Sequence, residues 1–484
     1  MYVDTPQGLC QAGLARGDIT PPVGIYHRMW GAATHDRSTG IHRPLMATAL
    51  ALRPAAAAPR AEADPGLVLL AIDHCLLWSQ EMAALLDHVS ASIGIPRERV
   101  LVMFSHTHSA GLMGRERAEL PGGELIGPYL DELASRLATL ATQSIAELAP
   151  AFITYGRGRC NLAAQRDFFD SANQQWVCGL NPSGTADDTL LVARITDPQG
   201  RLRGTVVNYA CHPTTLAWQN TLISPDYVGA MREVIEAATG TPCVFVQGAS
   251  GDLGPRRGYT GDLAVAESNG RQLGYAALAA LEALPPPATR YQYQGPVISG
   301  AVLGSWHDIP LDDADLREKA RWHFHSRQVD LPYRAGLPTA EQLSQERRQH
   351  QADAAAAIAS GDEPLARDCR ARVEVLTRQL VRFRSLRAGP SYPFPLQLWQ
   401  IGDGIWVAVE AEHYQLLQVE LRRRFPQIPI FVATLVNGSL HTYLPPKDIY
   451  GAGIYQETIA LLAPGCLERL IEEISRDIER LSSV

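Results

Sequence analysis

Paired cysteines, a basic excess and long apolar runs are all missing from this sequence, and each absence excludes a class of function. Eight cysteines stand at positions 10, 75, 160, 178, 211, 243, 369 and 466, with no C-x-x-C pair. That spacing offers neither a zinc ribbon nor a disulfide framework; it reads as reduced, partly buried thiols. Lysine and arginine number 43 against 51 aspartates and glutamates, a net charge of −8. Nucleic acid would have no basic surface to bind, and an anionic membrane no electrostatic hold. No apolar run is long and uncharged enough to cross a bilayer, so no integral membrane segment is expected. The opening stretch MYVDTPQGLCQAGLARGD lacks a basic region followed by an apolar one, so a cytoplasmic location is the expectation.

What remains is ordinary globular material. The chain has 484 residues, 46% hydrophobic and 19% charged. Leu67–His74, Arg99–His106, Leu202–Cys211, Cys243–Gly248 and Ile428–Gly438 read as buried strands. Residues 395–412 read as a β-hairpin turning at Gly402-Asp403-Gly404. Helical spacing recurs near 129–148, 231–238, 264–284 and 466–481. The pattern is α/β, with a mixed, largely buried sheet flanked by helices. Residues 1–484 are expected to form a single catalytic domain. Residues 310–388 are charged, rich in Arg, Glu and Gln, and read as an inserted helical hairpin or subdomain. It serves as a lid, an oligomer contact or a solvated excursion. His323 and His325 within it read as solvated or packed. Short Ala/Pro-rich pieces at Pro54–Pro65 and Pro285–Pro287 read as surface loops.

The reactive residue types sit at the polar ends of strands. FSHTHSAG places His106 and His108 after one strand, YACHPTT places His212 after another, and VQGASGDLGPR follows a third. In open α/β sheets, sites gather outside the carboxyl ends of strands. Histidines at i and i+2 of a strand face the same side and can converge on a metal or a polarised substrate. An H-x-H alone is a weak motif. His212 also reads as a buried, hydrogen-bonded histidine, and Cys211 as either a ligand or a small buried hydrophobe.

FSHTHSAG, ACHPTT, GASGDLGPR, AEHY and NGSLHTYLPPKDIY occur in that order. Together they resemble the neutral ceramidase family of zinc amidohydrolases, from about residue 12 to residue 460 and apart from the insertion. The family's C-terminal immunoglobulin-like domain is expected to be missing. The resemblance implies Zn2+ as cofactor, with His106, His212, Glu412 and Tyr443 as ligands; Glu410 is the alternative to Glu412. It implies His108 as the histidine at the reacting group and Arg166 as a substrate-contacting arginine. Each has a plainer reading: Glu412 as a helix N-terminal carboxylate, Tyr443 as a core tyrosine, Arg166 as a salt-bridge partner.

One departure bears on mechanism. The family's nucleophilic serine falls at Gly254, which has no hydroxyl. Either a metal-activated water attacks, or Ser250 replaces the serine. Asp252 or His108 is then the base; Asp252 also reads as a turn residue. Ser250 and Gly254 belong to the substrate side of the site. The expected activity is hydrolysis of an amide in a small N-acylated compound, with an ester or lactone as the alternative bond. The rival from another class is a non-catalytic binding protein that kept the fold. The expected partner is a small-molecule substrate, with a homo-oligomer as an open reading.

Overall fold

A computed structural model describes residues 1–56, 58, 63–438 and 442–482. Residues 57 and 59–62 of the expected Pro54–Pro65 loop lie outside that set. So do residues 439–441, which include the histidine of the H-T-Y-L stretch.

The largest sheet has eight strands: β1 (Gln7–Asp18), β2 (Met46–Pro54), β3 (Leu67–Ile72), β4 (Val100–Phe104), β5 (Ala149–Arg159), β6 (Thr189–Thr196), β7 (Leu202–Tyr209) and β8 (Cys243–Gln247). Their order is β8-β7-β6-β5-β1-β2-β3-β4. The two edge pairs, β3/β4 and β7/β8, are parallel; the pairs between them are antiparallel. Parallel neighbours need a crossover, and each edge supplies a helix: α1 (Ser79–Ile93) between β3 and β4, α3 (Tyr227–Thr239) between β7 and β8. Helices α2 (Ile126–Ala146) and α4 (Leu263–Glu282) complete this layer.

A second, four-stranded sheet runs β9 (Trp322–Pro332), β10 (Ser391–Ile401), β11 (Gly404–Val409), β12 (Ile430–Ala433). Its last pair is again parallel, joined through α8 (Leu416–Arg424). Period-two alternation builds the stack. Val68, Leu70, Val100 and Val102 face Leu85, Val89, Leu133 and Leu137 on the first helical layer. Their neighbours Leu69, Leu101 and Met103 join Trp399, Trp406 and Phe431 of the second sheet. Trp406 stacks on Phe431 at 4.3 Å between centroids, and Tyr155 approaches the same ring at 5.7 Å. Removing such a side chain from water contributes about 1.5–3 kcal/mol. The outer face of the second sheet packs Leu398, Val407 and Val432 on Leu417 of α8 and on Leu470 and Ile474 of α10 (Cys466–Ser482). The layers therefore run helix, sheet, sheet, helix. The sequence reading anticipated one sheet; two stacked sheets both yield apolar strands, and alternation cannot assign a strand to one of them.

The helical reading of 310–388 needs correction at its start. Only α5 (Asp313–Lys319) is helical there; Trp322–Pro332 is a strand, paired with all of β10. His323 and His325 lie on that strand, the second of them exposed, away from any cluster of metal-binding groups. The helical hairpin proper is α6 (Ala340–Ser360) and α7 (Glu363–Ser385). A capping box at Thr339 opens α6, and Gly361 at φ +74° closes it in the left-handed conformation that glycine adopts without strain. Both helices hang from the open end of the β9/β10 hairpin, where Tyr333 N–H donates to Pro390 O at 3.0 Å. Among the described residues no helix is long and apolar enough to cross a membrane.

Candidate metal centre

Each of the three parallel crossovers delivers one residue to a common point. His106 follows β4, His212 follows β7 and Glu412 follows β11. His106 Nε2 lies 3.1 Å from His212 Nε2 and 3.2 Å from Glu412 Oε2; His212 Nε2 lies 3.0 Å from the same oxygen. The protonation pattern follows from the far side of each ring. His106 Nδ1 donates to Cys75 O, and His212 Nδ1 donates to Ser250 O, both at 2.8 Å. With Nδ1 holding the proton, each Nε2 presents a lone pair. Two lone pairs and a carboxylate oxygen thus crowd one spot, and Glu412 Oε2 is buried without a hydrogen-bond donor. A cation among them resolves the conflict, and two imidazoles with one carboxylate suit zinc. The alternative trio Cys75, His106, His108 shares His106, and its Cys75 Sγ lies 3.5 Å from the His106 Nδ1 that donates to Cys75 O.

The backbone is held in place to make this point. His106 has φ +67°, and the residues just before Glu412 and Tyr443, namely Ala411 and Thr442, have φ +69° and +60°. Such strain costs about 1–3 kcal/mol per residue and persists where the surroundings enforce it. Here His106 N–H donates to His74 O at 2.9 Å, and Glu412 N–H to Thr442 O at 2.6 Å. Glu412 sits in a two-residue strand opposite Tyr443, not at the start of α8, so the helix-terminus reading of that carboxylate does not hold. Glu410, two residues earlier, stands outside the trio and hydrogen-bonds Tyr392.

Around the trio stand the other groups. His108 Nε2 lies 3.4 Å from His106 Nε2, and its ring packs 5.2 Å from Trp30. Burial, then the neighbouring imidazoles, push its pKa well below 6.5, so it is neutral. Arg166 is buried and donates to Gly251 O at 2.7 Å and to the Tyr443 hydroxyl at 3.1 Å, with no carboxylate in ion-pair reach among the described residues. The Tyr443 ring stacks on His212 at 6.3 Å, and burial with the Glu412 charge raises its hydroxyl pKa. Cys211 is a fully buried core residue. A cavity of about 40 Å³ opens onto the trio, lined by Trp78, His106, His108, Arg382, Glu412 and Tyr443 among others. The larger cleft between α1 and α2, about 390 Å³, shares no residue with it.

Comparison with solved structures returns the same architecture. The fold is that of neutral ceramidase. The chain is similar to neutral ceramidase from Pseudomonas aeruginosa, with 18% identity and a TM-score of 0.65 over 98% of this chain and 74% of that one. A ceramidase solved in complex with C2 matches at 18% identity and a TM-score of 0.63, with the same coverage. At this identity the likeness is one of fold. No protein-family model and no curated protein matches the chain.

On this ceramidase-like frame the remaining expected residues separate. Ser250 lies behind His212: its Oγ is 3.3 Å from the Nδ1 side of the ring and accepts from Gln247 at 2.7 Å. Both carboxylate oxygens of Asp252 accept from Gln415, at 2.7 Å from its backbone N–H and 2.8 Å from its side chain. Asp252 therefore clasps the start of α8, and burial pushes its pKa up to about 6. Gly254 is buried in a short strand opposite Ala164, and a Cβ there would meet nothing closer than Arg166 Cδ at 3.7 Å. Next to that space lies Thr214 Oγ1, buried without a partner. Thr214, Trp30, Trp78 and Arg382 were not picked out from sequence. Thr214 had a signal, being two residues from His212; Arg382 is one arginine among many in a charged segment.

The hairpin α6/α7 forms one wall of this cavity through Arg378 and Arg382. Arg117 anchors it by donating to Glu374 at 2.7 Å, both groups being buried. Because the flanking strands meet at Tyr333 and Pro390, residues 338–387 can be exchanged for a short linker without breaking a sheet. The expected result is a folded protein by circular dichroism whose turnover falls by about 100-fold, the cost of losing substrate placement. Full turnover in that variant would show that the hairpin does not shape the site.

Proposed function

We propose that this chain is a metal-dependent hydrolase that cleaves the amide of a small N-acylated compound, with zinc as the fitting cation. The observation that carries the reading is the triangle of two imidazole lone pairs and a carboxylate oxygen at 3.0–3.2 Å, each ring locked from behind by a backbone carbonyl. The ceramidase likeness of the fold supports amide chemistry. When bound, the cation supplies Lewis-acid chemistry, activating water and polarising a carbonyl.

The chain's own residues do the rest. His106, His212 and Glu412 hold the cation. His108, beside them and neutral, takes a proton at Nε2 from the attacking water and returns it to the leaving nitrogen. The Tyr443 hydroxyl accepts from Arg166 and stands beside Glu412, placed to donate to the developing oxyanion once the carboxylate holds the cation. Trp30 closes over His108 and excludes water from that side. Attack by water fits better than attack by Ser250, because the Ser250 hydroxyl faces the wrong side of His212.

The test is a panel of N-acyl amides, with matched esters, assayed on zinc-loaded and chelator-treated protein. Amide hydrolysis that vanishes with chelator and returns with zinc is expected. Ester cleavage alone would reassign the bond, and no cleavage with zinc fully bound would leave a binding protein.

A further inference from the structure

Buried arginines in this protein are otherwise spoken for. Arg117 pairs with Glu374, Arg232 with Asp73 and Arg422 with Asp187, while Arg166 donates to Gly251 O. Arg378, one turn before Arg382 on α7, donates to Glu374 and to Met29 O. Arg382 is the exception: it is 8% exposed, its Nε is buried without a partner, and no side chain or carbonyl among the described residues accepts from it. Its guanidinium lies 5.4 Å from the ring centroid of Trp78. Trp78 itself is 4% exposed, and its indole N–H is also buried without an acceptor. Both residues line the cavity that holds His106 and Glu412. Glu412 turns its Oε2 to the two histidines and forms no ion pair with Arg382.

Two unsatisfied donors, one of them cationic, stand on the wall of a cavity that also carries Arg378, Tyr455 and the metal-centre residues beside the apolar Met29, Leu76, Leu112 and Ile459, and they describe a receptor for an anion. A guanidinium fork and a flat indole edge suit a planar, acceptor-only group. The volume, about 40 Å³, suits a compact head group. We propose that the substrate carries a carboxylate a few bonds from the scissile amide, received by Arg382 with the help of the Trp78 N–H. The substrate class is then an N-acylated amino acid rather than a neutral sphingoid amide. This rests on the hydrolase reading and narrows it.

The experiment uses the full-length, zinc-loaded protein and three matched compounds: an N-acylglycine, its glycinamide analogue and the N-acyl-methylamine. Wild type should prefer the acid in kcat/KM by about 10–100-fold, the worth of one charged hydrogen-bonded pair. Arg382→Met should bring the acid-to-amide ratio close to one, chiefly through a higher KM for the acid, and Arg382→Lys should restore part of it. Trp78→Phe, which keeps the ring and removes the donor, should cost about 5-fold on the acid. Zinc content and thermal midpoint report whether each variant is folded. Equal use of acid and amide by wild type, or an undiminished preference in both Arg382→Met and Arg382→Lys, overturns the proposal. If none of the three is cleaved, the hydrolase reading fails on its own, and calorimetry with N-acetylglycine decides this one. Binding by wild type that is lost in Arg382→Met supports it; absence of binding by wild type overturns it.

Discussion

Alanine at His106 or at His212 removes stoichiometric zinc and, with it, hydrolysis. Loss of an outer partner of a metal ligand already costs about 10–100-fold in affinity, so loss of a ligand exceeds the upper figure. A second readout separates this from simple damage. In wild type, zinc at about 1,000 times its Kd should stabilise the fold by about 4 kcal/mol, seen as a raised thermal midpoint; in either variant the midpoint should stay where it is without metal. Glu412→Gln should weaken zinc as the histidine variants do, while Glu410→Gln, whose carboxyl hydrogen-bonds Tyr392, should keep it. Elemental analysis checks all four. Stoichiometric zinc in a His106→Ala/His212→Ala double variant would refute the centre.

Much of this centre was legible because strands buried on both faces are conspicuous and their polar ends are short. The run before His106 is uninterrupted apolar sequence, and those before His212 and before Ser250 carry apolar cores, Val206-Val207 and Cys243–Val246, so the residues just after them lie at the sheet's edge. The geometric reason offered for His106 and His108 was different from the one found. Both lie past the end of β4, and a left-handed turn at His106, rather than strand alternation, brings their Nε2 atoms to 3.4 Å. Trp322–Pro332 does not read as a strand because its apolar residues change face along it: Trp322 and Phe324 pack between the sheets, Val329 and Leu331 on the outer face. Asp252 looked like a base because it neighbours the glycine at the serine position; only the fold shows Gln415 occupying both of its oxygens. Arg382 could not be chosen from sequence at all. Its meaning comes from the partners it lacks, and these exist only once α7 has packed beside Trp78.

Removal of the His108 imidazole should be the most damaging change that leaves the metal in place. His108→Ala is expected to lower kcat by about 10²–10⁴, the usual worth of a positioned base, with zinc stoichiometry intact. His108 is not one of His106, His212 and Glu412, so that trio is untouched. Ser250→Ala is the contrasting case. The atom that fixes His212 is the Ser250 carbonyl, which alanine retains, and the hydroxyl is turned towards Gln247 on the far side of the ring. Its kcat should therefore stay within a few-fold of wild type, about the effect of one neutral hydrogen bond. Asp252→Asn should act on stability instead, loosening Gln415 and the start of α8, with a lower thermal midpoint as its sign. These three variants discriminate the two routes for the missing serine. Water attack requires a crippled His108→Ala and an active Ser250→Ala, with no covalent intermediate on the chain. A serine route requires the reverse order of damage, and an acyl group on Ser250 detected by mass spectrometry after quenching. For that to occur, the Ser250 side chain would have to leave Gln247, pass the edge of the His212 ring and reach the face where the lone pairs meet. The backbone contact from His212 Nδ1 to Ser250 O at 2.8 Å holds it on the opposite side.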